Sequence, residues 1–445
     1  MSRRSSSLLP VELRRPALAG AVLLVASWAF IAFTPVFSHW LFGDARYYET
    51  WGGWMAAHEV PYRDFNVEYP PGALPTFLAP VYLRKLFDYH GTFYFWLRVE
   101  ILVFSELALA ATLLALRRLD VSRRRAYAVC CAAGVAPAVL GPIAFFHFDY
   151  WPAFLAAAAV TALLYGRGVL ACAFASAGTA AKIYPALLVP LALIELWRRG
   201  GARAVARGVI ATVVVLAIAF GPFAVVAPHG LAWFFHRQYD RALEVESVGA
   251  SFFAVAHAAA GVHLHIVLTS GGSHGIAGST AKTVGTLLTV LMLAALAAQY
   301  VSYFRAPATS ERLVVACAAV VTTYIVFSKV FSPQYLVWLS PLVLLIGGRR
   351  GLRASVLLFV ILGVTQIFEP YLYTEYFRMN TPWVAYLVFF RNLLVVGLLG
   401  LLVWPDPSER HAEQLDPGRV AGLGGAVDDD ALDPHVALRR LEPDG

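Results

Sequence analysis

Apolar runs near the length of a membrane-spanning helix recur along the whole chain. A helix needs about 20 mostly apolar residues to cross the hydrocarbon layer of a bilayer. Charged residues make up only 14% of the 445 residues and hydrophobic residues 59%, so there are too few charges to cover a water-soluble globule of this size. The pattern therefore predicts an all-α polytopic membrane protein. The runs are 17–39, 93–116, 126–146, 152–166, 207–227, 283–304, 312–328, 335–348, 354–371 and 383–404.

A broken pair of shorter apolar segments lies between these runs, at residues 168–180 and 183–197. Ala181 and Lys182 separate the two segments, and prolines interrupt the second. Because proline lacks a backbone N–H donor, we expect two short or re-entrant helices that meet inside the protein. The predicted fold is a bundle of about twelve transmembrane helices, some of them short or re-entrant.

Arginine clusters alternate with the apolar runs and predict the orientation of the chain, because basic residues collect in cytoplasmic loops. Residues 1–16 are predicted to be a cytoplasmic segment. The first apolar run is too long for the core of a signal peptide, so we expect an uncleaved anchor. Both termini are then cytoplasmic, and the polar residues 405–445 are predicted to form a disordered tail. The clusters are Arg3–Arg4, Arg14–Arg15, Arg117–Arg118, Arg123–Arg125, Arg198–Arg199, Arg203, Arg207, Arg305, Arg312, Arg349–Arg350 and Arg353.

The net charge of +7 comes from these clusters, so the composition predicts contact with a lipid bilayer and no nucleic-acid partner. The composition is also rich in Ala and Arg, which favours a GC-rich bacterium and its plasma membrane.

Two long connections, residues 43–92 and 228–282, are predicted to lie on the outer side. Long loops on one side of a helical bundle often carry binding and catalytic residues. Within the first loop, residues 74–87 are semi-apolar and end in basic residues, which favours an interfacial helix over a span.

Asp44 follows the first apolar run by a few residues and precedes a Tyr- and Trp-rich segment. A carboxylate at the membrane boundary can remove a proton from a substrate hydroxyl. It can equally be an N-cap, since Asp often begins a helix, with the aromatic residues as an interface belt. The residues alone leave both interpretations open.

Several cations are candidates for binding an anionic substrate. Lys182, in the gap between two half-helices, either faces a cavity or extends to the membrane surface. Arg237 and Arg241 are four residues apart, which predicts a shared helix face suited to one phosphate, although salt bridges to Asp240 or Glu244 explain them equally well.

Two further sets of polar residues flank predicted helix ends. Lys329 and Gln334 flank Ser332–Pro333 and either border the same cavity or are ordinary loop residues. Arg391, inside the last run, can pair with Glu369 or Glu375, and it is either a structural residue or a pocket-lining one. His147 and Asp149 are two residues apart, which does not make a metal site, and the remaining histidines show no ligand spacing, so no metal and no cofactor are predicted.

Six short motifs, taken in their order along the chain, resemble the GT-C membrane glycosyltransferases of family 87, which include polyprenyl-phosphate-mannose-dependent mannosyltransferases. The resemblance covers residues 17–404. The motifs are Asp44 with Tyr48 close behind it, a Pro-Tyr pair at residues 61–62, Glu68-Tyr69-Pro70-Pro71-Gly72, Ala181-Lys182-Ile183-Tyr184-Pro185, Glu246-Ser247, and Phe331-Ser332-Pro333-Gln334-Tyr335 followed by Leu-Val-Trp.

The resemblance implies a GT-C-like transmembrane domain at 17–404. It also implies transfer of a sugar from a polyprenyl-phosphate donor to a hydroxyl of a cell-envelope glycolipid or glycan on the outer face. Mannose is the first candidate for this sugar. Transfer would invert the anomeric carbon, with Asp44 as the general base. The expected substrate-binding residues are Tyr48, Glu68, Tyr69, His147, Asp149, Lys182, Arg237, Arg241, Glu246, Lys329, Gln334 and Tyr335.

A transporter or flippase for a lipid-linked or anionic substrate is the alternative. Such a protein would also have about twelve spans, a broken helix pair and charges within the membrane. However, no second copy of the Asp44 or Tyr-Pro-Pro segments is found in the C-terminal half, where an internal repeat would place one.

Overall fold

The computed structural model describes residues 11–34, 43–88, 90–269, 272–379 and 381–404. Expectations for residues 1–10, for the first predicted span beyond residue 34 and for the tail at 405–445 lie outside the described residues.

Helices dominate the described residues, and each predicted apolar run falls on one or more of them. They are α1 (Val11–Phe33), α2 (Ala45–Ala56), α3 (Leu74–Leu86), α4 (Phe93–Arg118), α5 (Arg123–Leu140), α6 (Ile143–Phe146), α7 (Tyr150–Leu164), α8 (Gly168–Ala181), α9 (Leu188–Val226), α10 (Pro228–Tyr239), α11 (Val248–Ala260), α12 (Ser279–Arg305), α13 (Ser310–Phe327), α14 (Leu336–Val343), α15 (Gly348–Phe377) and α16 (Pro382–Val403). Short 3-10 helices lie at Pro71–Ala73, Tyr184–Leu187 and Pro333–Tyr335.

Within the described residues, 7 helical segments are long and apolar enough to cross a membrane. The protein is therefore an all-α polytopic membrane protein, as predicted. The predicted total of about twelve spans is larger because it includes short helices such as α7, α8 and α14. The long segments are Glu12–Phe33, Phe93–Arg118, Tyr184–Val226, Ser279–Arg305, Ser310–Phe327, Gly348–Glu369 and Pro382–Val403.

The helix α9 consists of two arms that fold back on each other. The backbone leaves the helical region at Gly200 and Gly201, and Gly201 has a φ of 57°, which favours glycine. A Cβ added to Gly208 would lie 2.5 Å from the Leu196 side chain, so the second arm packs closely on the first. This agrees with the two separate apolar runs in the sequence.

The short apolar helices form the centre of the bundle. The helix α7 is buried along almost its whole length and packs against α4 and α8. The helix α1 packs mainly on α5, and α15 on α16. In contrast, α12 and the second arm of α9 carry many exposed apolar side chains, as expected for surfaces that face lipid.

The predicted break at Lys182 is confirmed. The helix α8 ends at Ala181, Lys182 has an extended backbone, and a 3-10 helix begins at Tyr184. Gly72 packs against this break: a Cβ there would lie 2.6 Å from the backbone carbonyl of Ala180. The glycine therefore allows the 69–72 segment to approach the end of α8.

The segment 228–282 is more ordered than the sequence indicated. It contains α10, α11 and a small antiparallel sheet with the strand order β1-β3-β2. In this sheet Ile276 pairs with both Leu243 and Ile266. The strands are β1 (Leu243–Glu244), β2 (Ile266–Leu268) and β3 (His274–Ile276).

Candidate active site

A cavity of about 880 Å³ lies where both long connections meet the ends of the helices. It brings together eight of the thirteen predicted site residues from five separate segments. Pockets of this size commonly bind small molecules. The eight residues are Asp44, Glu68, Tyr69, Lys182, Arg241, Lys329, Gln334 and Tyr335.

Asp44 precedes α2 but does not cap it, because its side chain makes no hydrogen bond to the first turn. Its Oδ2 atom accepts a 2.7 Å hydrogen bond from the Tyr69 hydroxyl and a 3.5 Å one from the Tyr48 hydroxyl. The two hydroxyls lie 3.2 Å apart. The described hydrogen bonds of this carboxylate all end at Oδ2. The Asp44 side chain is 25% exposed and lines the cavity, so the carboxylate is partly open to it.

The two tyrosines that hold Asp44 belong to a cluster of aromatic rings. Tyr48 stacks on Phe77 at 4.5 Å, and the Tyr69 ring lies edge-on to Phe148 at 5.1 Å. Burial raises the pKa of both hydroxyls well above the usual range, and the Asp44 carboxylate raises them further. Both hydroxyls therefore remain protonated donors at neutral pH.

His147 lies behind Asp44 and is 7% exposed. Its Nε2 atom lies 3.8 Å from Oδ2 of Asp44, and its Nδ1 atom lies 3.1 Å from the carbonyl oxygen of Ile143. Since a carbonyl oxygen only accepts, Nδ1 donates this bond, and Nε2 faces the carboxylate.

Lys182 points inward rather than towards the membrane surface and is 9% exposed. Its Nζ atom donates a 2.7 Å hydrogen bond to Oδ1 of Asp149, which also accepts a 2.7 Å bond from Nε1 of Trp338. Aromatic rings surround the ammonium group at 5.1–5.8 Å, which is within cation–π range. The pair connects α7, the α8 break and α14, so Asp149 anchors three elements beneath the cavity.

The predicted helix face shared by Arg237 and Arg241 is wrong, because α10 ends at Tyr239 and Arg241 lies beyond it. Arg237 contacts the Glu68 carboxylate at 3.7 Å. Arg241 contacts Glu244 at 3.9 Å, a distance longer than a hydrogen bond.

Arg241 nevertheless carries a full positive charge in the wall of the cavity. Burial disfavours this charge, but the neighbouring groups, Glu244 first and then Tyr335, Tyr69 and Glu68, together outweigh that effect and raise the pKa of Arg241. The Arg241 side chain is 27% exposed. A partly buried guanidinium with a loosely held partner is a suitable ligand for an anion.

Lys329 and the 3-10 helix at Pro333–Tyr335 also line the cavity. Nζ of Lys329 donates a 2.8 Å hydrogen bond to the carbonyl oxygen of Tyr239, and the Lys329 carbonyl accepts one from the Glu244 backbone. The Tyr335 ring stacks on Trp338 at 4.0 Å.

Glu246, one of the expected substrate-binding residues, does not line the cavity. Its carbonyl oxygen accepts hydrogen bonds from Arg391 at 3.1 Å and from Asn392 at 3.2 Å. Burial, together with the neighbouring Glu369 carboxylate, raises the pKa of Glu246 well above its usual range. Arg391 thus holds the main chain at Glu246.

The cavity also includes residues that were not predicted to bind substrate. Tyr47 and Trp51 lie near Asp44 on α2, and Trp338 ends the motif that begins at Phe331. An apolar part of the cavity reaches Phe220 on α9 and extends along α12. Helical spacing from Asp44 and from Tyr335 could have identified the first three residues. The α9–α12 contact depends on the tertiary fold, which no local pattern predicts.

Among the described residues no group of three or more His, Cys, Asp or Glu side chains could hold a metal ion. No family model matches the chain, and a comparison with curated proteins found no match.

Proposed function

We propose that this protein is an integral membrane glycosyltransferase. In this proposal it moves a sugar from a polyprenyl-phosphate donor to a hydroxyl of a cell-envelope glycolipid or glycan. Mannose is the first candidate for this sugar. The reaction takes place at the outer face of a bacterial plasma membrane, with both termini in the cytoplasm and the GT-C-like domain spanning residues 17–404.

The observation that carries the proposal is the position of Asp44. A tyrosine hydroxyl fixes one oxygen of its carboxylate, and the partly exposed side chain lines a large cavity. In the proposed reaction the hydroxyl oxygen of the acceptor attacks the anomeric carbon of the donor. At the same time Oδ1 of Asp44 takes the proton of that hydroxyl. The bond from this carbon to the phosphate oxygen breaks, the phosphate leaves with the electron pair, and the configuration inverts.

The cations of the cavity divide into two roles in this mechanism. Lys182 is held by Asp149 at 2.7 Å and enclosed by aromatic rings, so we assign it to positioning. Arg241 lies 3.9 Å from its carboxylate partner, so a phosphate can compete for its guanidinium. We therefore propose that Arg241, with Lys329 nearby, stabilises the negative charge that develops on the leaving phosphate.

The apolar part of the cavity supports a lipid-linked donor. It is lined by Phe220 on α9, by Phe234 and Phe235 on α10, and by Val290 on α12. Val290 is 58% exposed, so the cavity reaches the apolar outer surface of the bundle. A lipid tail can therefore remain in the bilayer while its phosphate reaches the polar part of the cavity.

The decisive experiment is transfer in proteoliposomes from polyprenyl-phosphate [¹⁴C]mannose to a membrane extract that contains acceptor lipids. We expect Asp44→Asn to bind the donor but to lose at least about 100-fold in rate, the usual contribution of a general base. Asp64→Asn is the matched control, because Asp64 lies in the same connection and pairs with Arg63 instead of lining the cavity.

Full turnover by Asp44→Asn would exclude Asp44 from the mechanism. If the wild-type protein moves the intact lipid-linked sugar between leaflets without transferring it, the glycosyltransferase proposal fails and the transporter alternative stands.

A further inference from the structure

Tyr47 is an exposed aromatic residue next to the proposed base. It lies three residues after Asp44 in the first turn of α2, so the two side chains project from neighbouring positions on that helix. Its side chain is 42% exposed and lines the cavity.

The Tyr47 ring is supported from one side. It stacks on Trp51 with the ring centroids 5.7 Å apart and an interplanar angle of 29°. Trp51 is 7% exposed and packs in turn on Tyr69 and Phe77. The rigid cluster that holds Asp44 therefore also holds the Tyr47 ring, which presents aromatic surface to the cavity.

A membrane-interface residue would not need this arrangement. Tyr82 on α3 provides the comparison, because it is 49% exposed but does not line the cavity. Both tyrosines suit a belt at the membrane surface. Of these two tyrosines, only Tyr47 is exposed, stacks on a buried tryptophan and lies one helical turn from the Asp44 carboxylate.

We propose that Tyr47 is the stacking platform of the acceptor subsite and that the reacting unit of the acceptor is a pyranose sugar. One face of a pyranose ring presents C–H groups that are apolar and slightly positive, and they match the negative face of an aromatic ring. A sugar stacked on Tyr47 would place a ring hydroxyl beside Asp44. Glu68, which lines the same cavity and is held by Arg237 at 3.7 Å, can accept a hydrogen bond from another hydroxyl.

This inference rests on the proposed function, because it assigns the acceptor class of the same site. It also makes a separate claim about binding, which does not require turnover. The platform needs an aromatic ring and not a hydroxyl, so Tyr47→Phe should preserve it and Tyr47→Ala should remove it.

Transfer kinetics with octyl α-mannoside as the acceptor probe form the first test. At a saturating donor concentration we expect Tyr47→Ala to raise the acceptor KM about tenfold with little change in kcat, the size expected for one lost ring contact. Tyr47→Phe and the matched control Tyr82→Ala should stay within about twofold of the wild type. An unchanged acceptor KM in Tyr47→Ala, or an equal rise in Tyr82→Ala, would overturn the proposal.

Saturation-transfer NMR on the detergent-solubilised protein forms the second test and needs no catalysis. The wild-type protein should saturate the pyranose protons of octyl α-mannoside, and Tyr47→Ala should lose most of that signal. A sugar-free amphiphile, tetraethylene glycol monooctyl ether, should give the same signal with both proteins. Pyranose saturation that survives in Tyr47→Ala overturns the platform. Loss of the signal in Tyr47→Ala, combined with no transfer by the wild type, would reject the proposed function and retain the sugar platform.

Discussion

The Tyr69 hydroxyl donates a 2.7 Å hydrogen bond to Oδ2 of Asp44, a residue 25 positions earlier in the chain. This bond orients the carboxylate, and Tyr69 stays protonated because burial raises its pKa. We expect Tyr69→Phe to lower kcat about tenfold, since a hydrogen bond to a charged group contributes about 1.5–3 kcal/mol. Tyr48→Phe should have a smaller effect because its hydroxyl lies 3.5 Å from the same oxygen. Steady-state transfer rates measure both variants, and a Tyr69→Phe rate equal to the wild type would contradict this role.

The sequence predicted the helices of this protein well because apolar composition over about 20 residues is a strong local signal. The break at Lys182 was also predictable, since a charge followed by proline ends an apolar run. The position of Asp44 in the chain left the cap and the base interpretations open. In the structure the Asp44 side chain makes no cap hydrogen bond and accepts one from Tyr69, a contact that depends on the packing of two distant segments. The role of Asp44 as a base stays a prediction.

Other features were missed for physical reasons. The spacing of Arg237 and Arg241 predicted a shared helix face, but the helix ends between them at Tyr239. The strands of the small sheet are two or three residues long, too short for an alternating pattern to appear. Glu246 lies outside the cavity, where its carbonyl oxygen accepts hydrogen bonds from Arg391 and Asn392. These two residues are about 145 positions further along the chain, so no local pattern indicates the contacts.

The buried pair Lys182–Asp149 should behave as a unit. Lys182→Met leaves the Asp149 carboxylate, which is 1% exposed, without its cation, and such a loss costs about 3–5 kcal/mol. We expect a clear fall in the Tm in detergent micelles and a higher donor KM. The double variant Lys182→Met/Asp149→Asn should recover much of the Tm, because Asn still accepts from Trp338. A Lys182→Met protein with unchanged Tm and donor KM would mean that the ion pair contributes little.

The apolar part of the cavity should matter only for donors with long tails. Thr289 on α12 lines this part, so Thr289→Trp should obstruct it. We expect the KM for a full-length polyprenyl donor to rise roughly tenfold, within the usual cost of overpacking, and the KM for a short-chain prenyl donor to change little. Leu291→Trp is the control, because Leu291 is 52% exposed on the same helix and does not line the cavity. Equal effects on both donors would place the lipid tail elsewhere.

The carboxyl group of Glu246 should make stability depend on pH. Its pKa is raised above the ordinary value of 4.5 by burial and by Glu369, while Arg391 opposes the shift. The folded protein therefore keeps a proton that the unfolded chain releases. The associated stability is fully present below about pH 4.5 and is lost as the pH rises towards the folded pKa.

We therefore expect the wild-type Tm to fall as the pH rises above about 4.5, and Glu246→Gln to reduce that fall, because Gln stays neutral at every pH. The exposed Glu59→Gln should leave the pH profile of the Tm unchanged. If Glu246→Gln and the wild type show parallel profiles, the proton on Glu246 does not contribute to folding.

Two adjacent glycines on α2 give a sharp test of the packing that positions Asp44. A Cβ added to Gly52 would lie 2.1 Å from the carbonyl oxygen of Phe77 on α3, whereas a Cβ on Gly53 would have no neighbour within 4 Å. Gly52→Ala must therefore separate α2 from α3, at a cost of about 1–3 kcal/mol for overpacking. Gly53→Ala places a better helix former in an open position and should stabilise α2 by up to about 1 kcal/mol.

Since Tyr48 stacks on Phe77, a shift between these helices also moves the ring that contacts Asp44. We expect Gly52→Ala to lower both the Tm and kcat, and Gly53→Ala to raise the Tm slightly with kcat unchanged. Measuring the Tm and kcat of both variants shows whether the effect comes from the close packing of α2 on α3 or from any substitution in α2. Equal behaviour of the two variants would show that the close approach of α2 and α3 does not position the carboxylate.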